Sequence, residues 1–335
     1  MRHKLTIALG AAANGTLADP RGATLGSFLD QWLEEVVKPT VRTWTYHGYE
    51  VHVRRHIKPA LGNLPIDKVG PAQVQAFLNR KLADGMAPRS VRYIRGTLRS
   101  ALKQAERWGL VSRNAAALVD GPRVERFDIQ PFTHDEARRF LQAAKGDRLG
   151  ALYAVALTMG LRQGEALGLR WQDIDLELGY LRIEKQLQRF DGHFTLAEPK
   201  TSRSRRTLVM PKAIAEALRL HRGKQEAERD NAVPTWNARD LVFCTPGGEP
   251  LDGTVVTHHF HRLLDRASLP QRRFHDLRHS CATLLLAQGV PARVVMEVLG
   301  HSQIALTMNT YTHVLPELKR DAAQRMNELI TDLER

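Results

Sequence analysis

Only two cysteines, Cys244 and Cys281, occur in the 335 residues. Two thiols in apolar surroundings make neither a disulfide framework nor a zinc site, and they fit a reducing cytoplasm. No run of eighteen apolar residues is present, so a transmembrane helix is excluded. Clustered carboxylates, which a metal-dependent nuclease would need, are also missing. So are internal repeats and low-complexity tracts. The opening MRHKLTIALGAAANG has the basic start and short apolar run of a signal peptide. That run is of minimal length and nothing downstream looks secreted, so it reads as an N-terminal tail.

Acidic residues are in deficit, 36 against 49 basic ones, for a net charge of +13. That imbalance points to a polyanionic partner, nucleic acid being the commonest. A hydrophobic fraction of 43% is ample for packed cores, and the length has room for two domains of ordinary size.

Residues 1–23 carry no sustained periodicity. From Thr24 the pattern is helical: LGSFLDQWLEEVV puts Leu25, Phe28, Leu29, Trp32, Leu33 and Val36 on one face, with Pro39 expected to end the helix. A second helix is expected over Trp44–Ile57, stopped by the KPALG turn at Pro59 and Gly62. A third opens at Pro71, which suits a first helical position. The fourth, PRSVRYIRGTLRSALKQAERWG, has a core stripe of Val91, Ile94, Leu98, Leu102 and Ala105. Beside it runs a basic stripe of Arg92, Arg95, Arg99 and Lys103. A basic stripe is usually a solvated helix face. Here residues 24–123 hold sixteen Lys or Arg against eight Asp or Glu, and a helical unit that basic favours DNA phosphate contact.

DGPRVERFDIQPF, residues 120–132, reads as an interdomain linker. Thr133 and Glu136 then form a capping box. The helix GALYAVALTMG ends at Gly160, and the period changes over 180–210, where a small antiparallel sheet of about three strands is expected. Helices return from Pro211. The expectation is therefore a tail (1–23), a helical DNA-binding domain (24–120), a linker (121–132) and a mostly helical second domain with a small sheet (133–335).

Several polar residues break the local pattern at element boundaries. Arg162 and Glu165 flank a helix start in GLRQGEALGLRW, where a local salt bridge is the ordinary reading. Lys200 sits among cations in AEPKTSRSRRT, expected at a hairpin tip. His275 and Arg278 open the helix in RFHDLRHSCATLLLAQG. His275 and His279 have the i, i+4 spacing of a metal pair, yet no third ligand stands at a familiar offset, and HHFH at 258–261 fits a helix face equally well. His301 follows the glycine of VVMEVLGHS, and Tyr311 stands among polar neighbours in TMNTYTHV. Singly, each has an ordinary structural reading. Together they meet the demands of metal-free DNA strand cleavage: cations for the charged phosphorus transition state, a nucleophile, and an acid for the departing sugar oxygen.

The ordered set Arg162, Lys200, His275-x-x-Arg278, His301 and Tyr311 resembles the tyrosine recombinase (phage integrase) family. LR-x-x-E, HDLRH, LGH and the closing Y-T-H match its motifs, from about residue 24 to the end. PKTSRSRRT, FHDLRH and TYTHVLP are similar to integrases of bacterial phages and integrative mobile elements. The resemblance implies a two-domain, C-shaped DNA clamp, with a helical core-binding domain and an α+β catalytic domain. It implies site-specific recombination through a 3′-phosphotyrosyl link made by Tyr311, without metal, cofactor or ATP. Arg162 and Arg278 would clamp the phosphate, with His301 as a further donor. Lys200 would protonate the 5′-oxygen, His275 would assist proton transfer, and Glu165 would support the pocket. The implied partners are double-stranded DNA attachment sites, a homo-tetramer formed through the C-terminal helix, and DNA-bending or directionality proteins. A cytoplasmic location on the nucleoid follows. Long relatives carry an N-terminal arm-binding domain; the residues before Thr24 are too few for one, leaving open a simpler two-domain recombinase or a lost start. A type IB topoisomerase shares this chemistry. A DNA-binding regulator without activity, and a metal-dependent nuclease, are the readings from other classes.

Overall fold

The computed structural model describes residues 23–125, 129–199, 204–232 and 239–300, with single positions at 236, 323 and 327. Chain contacts divide into two compact units, Met1–Phe127 and Asp128–Arg335. Lys200, His301 and Tyr311 lie outside the described residues, as does nearly all of the C-terminal helix expected from the sequence.

In the first unit, α1 (Leu25–Gln31) starts at a capping box in which Ser27 N–H donates to Thr24 Oγ1 at 3.2 Å. Leu25, Phe28, Leu29, Trp32 and Leu33 are buried as the spacing requires. Pro39 does not end this helix. A π turn, Trp32–Val37, precedes it, with Lys38 N–H bonded to Leu33 O, and an α turn Lys38–Thr40 follows. The wider turn accommodates the missing proline N–H and the ring's clash with the carbonyl four residues back. The extra residue also shifts the helical phase, so Val37 is buried and Val36 is only partly so. The same arrangement recurs after α2 (Thr43–His52): a π turn Val53–Ile57 leads through Pro59 to Leu61, and the helix stops at Gly62. Proline expected as a stop is in both places accommodated by a π turn.

α3 (Pro71–Ala83) and α4 (Pro88–Arg107) complete the described helices of this unit apart from short turns. Val91, Ile94, Leu98, Leu102 and Ala105 of α4 are all buried in the core with α1 and α3.

The second unit begins with Phe132 buried, although the sequence places it in the linker; its N–H donates to Ser280 Oγ at 2.8 Å. α5 (His134–Ala143) has the expected Thr133–Glu136 capping box, and α6 (Gly150–Met159) is the most uniformly apolar helix of the core. A short α7 (Gln163–Leu167) follows. Strands β1 (Ile174–Asp175), β2 (Tyr180–Ile183) and β5 (Arg206–Val209) form a small antiparallel sheet in the order β1-β2-β5. Beside it, β3 (Gln186–Phe190) and β4 (His193–Ala197) form a separate two-stranded hairpin. The hairpin turn is Asp191-Gly192, both at positive φ (46° and 81°), as a two-residue turn matching strand twist requires. β4 and β5 belong to different sheets, and Lys200, which falls between them in sequence, lies outside the described residues.

Helices α8 (Lys212–Ala232), α9 (Gly253–Arg266), α10 (His275–Ala287) and α11 (Ala292–Leu299) are the remaining multi-residue helices among the described residues of this unit. α10 packs along α6 and against α11. That contact positions the candidate site.

Candidate active site

The site grows from the turn after α6. Gly160 ends that helix at φ 63°, a left-handed conformation that costs glycine nothing. The reversal buries Leu161 and places Arg162 at the head of α7. Arg162 N–H donates to Glu165 Oε2 at 3.0 Å, and Arg162 Nη1 donates to Glu165 Oε1 at 2.5 Å. Glu165 is 2% exposed. Burial alone would raise its pKa, but Arg206 and then Arg162 outweigh this and hold it below the ordinary carboxylate value. The local Arg–Glu pair anticipated from spacing is thus part of a larger assembly.

α10 brings the second arginine. Asp276 holds the start of the helix by accepting Arg273 N–H at 2.9 Å. Arg278 is 1% exposed, one of the most deeply buried large side chains in the protein. Its Nη1 donates to Gly160 O at 2.8 Å, and Nη2 donates to Leu299 O. One guanidinium therefore ties together the ends of α6 and α11. Buried cations are tolerated only with their donors engaged, which these carbonyls provide.

His275 stands at the exposed start of α10. Desolvation by the protein around it, followed by the charges of Arg278 and Arg162, lowers its pKa from 6.5. Burial and these two positive charges favour its neutral form at pH 7, leaving a ring nitrogen able to accept a proton. His279 lies one turn on, its ring 4.9 Å from that of His275 and edge-on to it.

Arg162, Glu165, His275 and Arg278 are thus brought into one site. Two described elements that flank Lys200 and His301 in sequence also reach this site. β5, which follows the Lys200 segment, begins at Arg206, and Arg206 Nη2 donates to Glu165 Oε2 at 3.0 Å. α11 ends at Gly300 with φ 64°, one residue before His301 in sequence. Arg206 was missed as a site residue because PKTSRSRRT reads as an undifferentiated basic run. Period-two alternation could have found it: Arg206 shares the inward face of β5 with buried Leu208, whereas Thr207 and Val209 are exposed.

The basic stripe on α4 divides. Arg92, Arg99 and Lys103 are exposed, but Arg95 is turned inward and donates to Val119 O. Its Nε is buried without a hydrogen-bond partner. Among the described residues no cluster of three metal-ligating side chains occurs, and no helix is long and apolar enough to cross a membrane.

Residues 130–317 match the Phage integrase family, and residues 24–82 match the phage integrase N-terminal SAM-like domain. The chain is 32% identical to a tyrosine recombinase XerC-like protein of Caldanaerobacter subterraneus subsp. tengcongensis, over 96% of this chain and 87% of that one. The chain belongs to the phage integrase family. It is a site-specific tyrosine recombinase, and strand exchange through a phosphotyrosyl link is general to that family. An integrase of Saccharopolyspora erythraea is 29% identical over 91% of this chain and 82% of its own. The fold is that of the Tn1549 transposon integrase solved with transposon right end DNA, at a TM-score of 0.76 and 23% identity over 91% of this chain and 99% of that one.

One further feature of this integrase-family unit is a large apolar cavity, about 1020 Å³, between α5, α6, α8 and α10. Ala137, Leu141, Leu157, Leu220, Leu284 and Leu285 are among its walls.

Proposed function

We propose that this recombinase cuts double-stranded DNA at an attachment site with Tyr311 as nucleophile, Arg162 and Arg278 as the phosphate clamp, and His301 as a further donor. Lys200 protonates the departing 5′-oxygen, and His275 takes part in proton transfer at the tyrosine. The observation that carries this reading is the joining of both arginines to one turn. Gly160 O binds Arg278, and Arg162 follows Gly160 by two residues. Two guanidiniums held on one turn can meet the two nonbridging oxygens of one phosphate once Arg278 is uncovered, and burial together with their charge lowers the His275 pKa. Arg278 reaches a phosphate only once part of its cover withdraws, because it is 1% exposed. Cleavage is therefore linked to a change around α10.

The exposed Arg92, Arg99 and Lys103 on α4 contact DNA phosphates. The chain acts as a multimer, as the lambda integrase does in its tetramer bound to a Holliday junction, whose fold it shares at a TM-score of 0.64. The apolar cavity accepts the C-terminal segment of a neighbouring copy. In sequence that segment carries Leu318, Ala322, Met326, Leu329 and Leu333 at helical spacing.

The roles are separated by chemistry. A substrate with sulfur in place of the scissile 5′-oxygen has a leaving group that needs no acid. Such DNA restores cleavage to Lys200→Ala but leaves Arg162→Ala and Arg278→Ala slow. If sulfur rescues none of them, or rescues all alike, the assignment of Lys200 as the acid is wrong.

A further inference from the structure

Arg206 has no place in the six-residue set above, yet its side chain is 7% exposed and its three nitrogens bind three different segments. Nη2 donates to Glu165 Oε2 at 3.0 Å, on α7. Nε donates to Val298 O at 2.7 Å, in the last turn of α11. Nη1 donates to Ser204 O at 3.1 Å, at the end of the connection that carries Lys200.

Each of these segments leads directly to a proposed catalytic group. Glu165 holds Arg162 through both a side-chain and a backbone donor. Val298 is adjacent to Leu299, whose carbonyl binds Arg278, and two residues later the sequence reaches His301. Ser204 leads into β5 from the Lys200 side. A planar fork with fixed donor directions holds three partners at once in a way a lysine ammonium on a flexible stem cannot.

The charges add a second effect. Two guanidiniums share the one Glu165 carboxylate, so the Arg206–Glu165–Arg162 group keeps a net positive charge that a phosphate can meet. Without Arg206, Glu165 would neutralise Arg162 alone.

We propose that Arg206 is a positioning residue for strand cleavage: it sets Arg162, the Lys200 connection and the turn before His301 in register, and it keeps Arg162 available to the phosphate. This deepens the functional reading above and rests on it. Arg206 itself touches no reacting atom.

The test uses the full chain with Arg206→Lys, Arg206→Met, Glu165→Gln and the Arg206→Met/Glu165→Gln double variant. DNA affinity is measured by fluorescence anisotropy. The rate of covalent complex formation at saturating DNA is measured in a single turnover, per molecule that remains folded by circular dichroism. Misplacement of reacting groups by about 1 Å costs on the order of 10²-fold, so Arg206→Met is expected to slow cleavage by roughly 10- to 100-fold with affinity unchanged. Arg206→Lys, which keeps the charge, recovers part of the rate and stands in if the methionine variant does not fold. Because one of the routes from Arg206 runs through Glu165, the double variant is slower than either single variant but by less than the product of their effects. Rates per folded molecule equal to wild type in the lysine and methionine variants would reduce Arg206 to a structural ion pair. Fully multiplicative effects in the double variant would overturn the route through Glu165. Failure of the wild-type chain to form any covalent complex would instead count against the functional reading itself.

Discussion

Replacing Gly160 with alanine should damage stability and cleavage together, for reasons that can be counted. The residue sits at φ 63°, and a Cβ there costs about 1–2 kcal/mol by clashing with its own backbone. The same Cβ would stand 2.6 Å from Leu299 Cδ2 and 3.2 Å from Cys281 Sγ. Leu299 is wholly buried and Cys281 nearly so, leaving little room to yield, and overpacking of this kind costs about 1–3 kcal/mol. The sum is roughly 2–5 kcal/mol, or a fall in melting temperature of roughly 4–20 °C for a unit of this size. Calorimetry of the full chain should show the transition of the second unit moving and that of the first staying in place. Gly192→Ala is the control: φ there is 81°, but nothing lies within 4 Å of the added methyl, so only the backbone contribution is lost. Since Gly160 O binds Arg278, Gly160→Ala should also slow cleavage at saturating DNA, whereas Gly192→Ala should not. Equal melting shifts in the two variants would refute the packing argument.

Four other outcomes are expected. Arg99→Ala should lower the slope of log affinity against log salt by about one with little change in stability. Arg95→Ala should instead destabilise the first unit by about 1–3 kcal/mol, because its guanidinium holds Val119 O; both are read by salt titration and urea melts. Burial and then His275 lower the His279 pKa from 6.5 to about 4, so the folded state resists a proton that the unfolded chain accepts. Stability from this residue is full above pH 6.5 and is lost as pH falls toward 4, and His279→Gln should flatten that limb of an acid-unfolding curve. Leu285→Asp, in the wall of the apolar cavity, should weaken multimer formation on DNA in sedimentation while single-copy DNA binding persists.

Much of this architecture was legible in the sequence because local rules agreed with the global packing. The α4 core stripe, the Thr133 capping box and the glycine stop at 160 follow from spacing and capping alone. The two Lys-Pro steps were misread because proline is ordinarily a stop, and a π turn has no compositional signature. It declares itself only in the phase slip from Val36 to Val37. In the site, Arg162, Glu165, His275 and Arg278 could be named from motif order, but not that Arg278 would be enclosed. That depends on α6 and α11, more than a hundred and some twenty residues away in sequence, presenting their terminal carbonyls to one guanidinium. Arg95 shows the reverse case. A helix-wheel stripe counts it as a surface cation, and only the backbone of the segment after α4 draws it inward.

The claim that most needs a direct trial is cleavage by Tyr311. Fragmented DNA from the source genome is incubated with the chain in excess EDTA, quenched with detergent, and whatever remains attached to protein is sequenced, with Tyr311→Phe in parallel. Discrete fragments captured by the wild type and absent from Tyr311→Phe are the expected result, and they would reveal the attachment site as well. DNA binding without any covalent product, or capture that survives loss of the Tyr311 hydroxyl, would contradict the account.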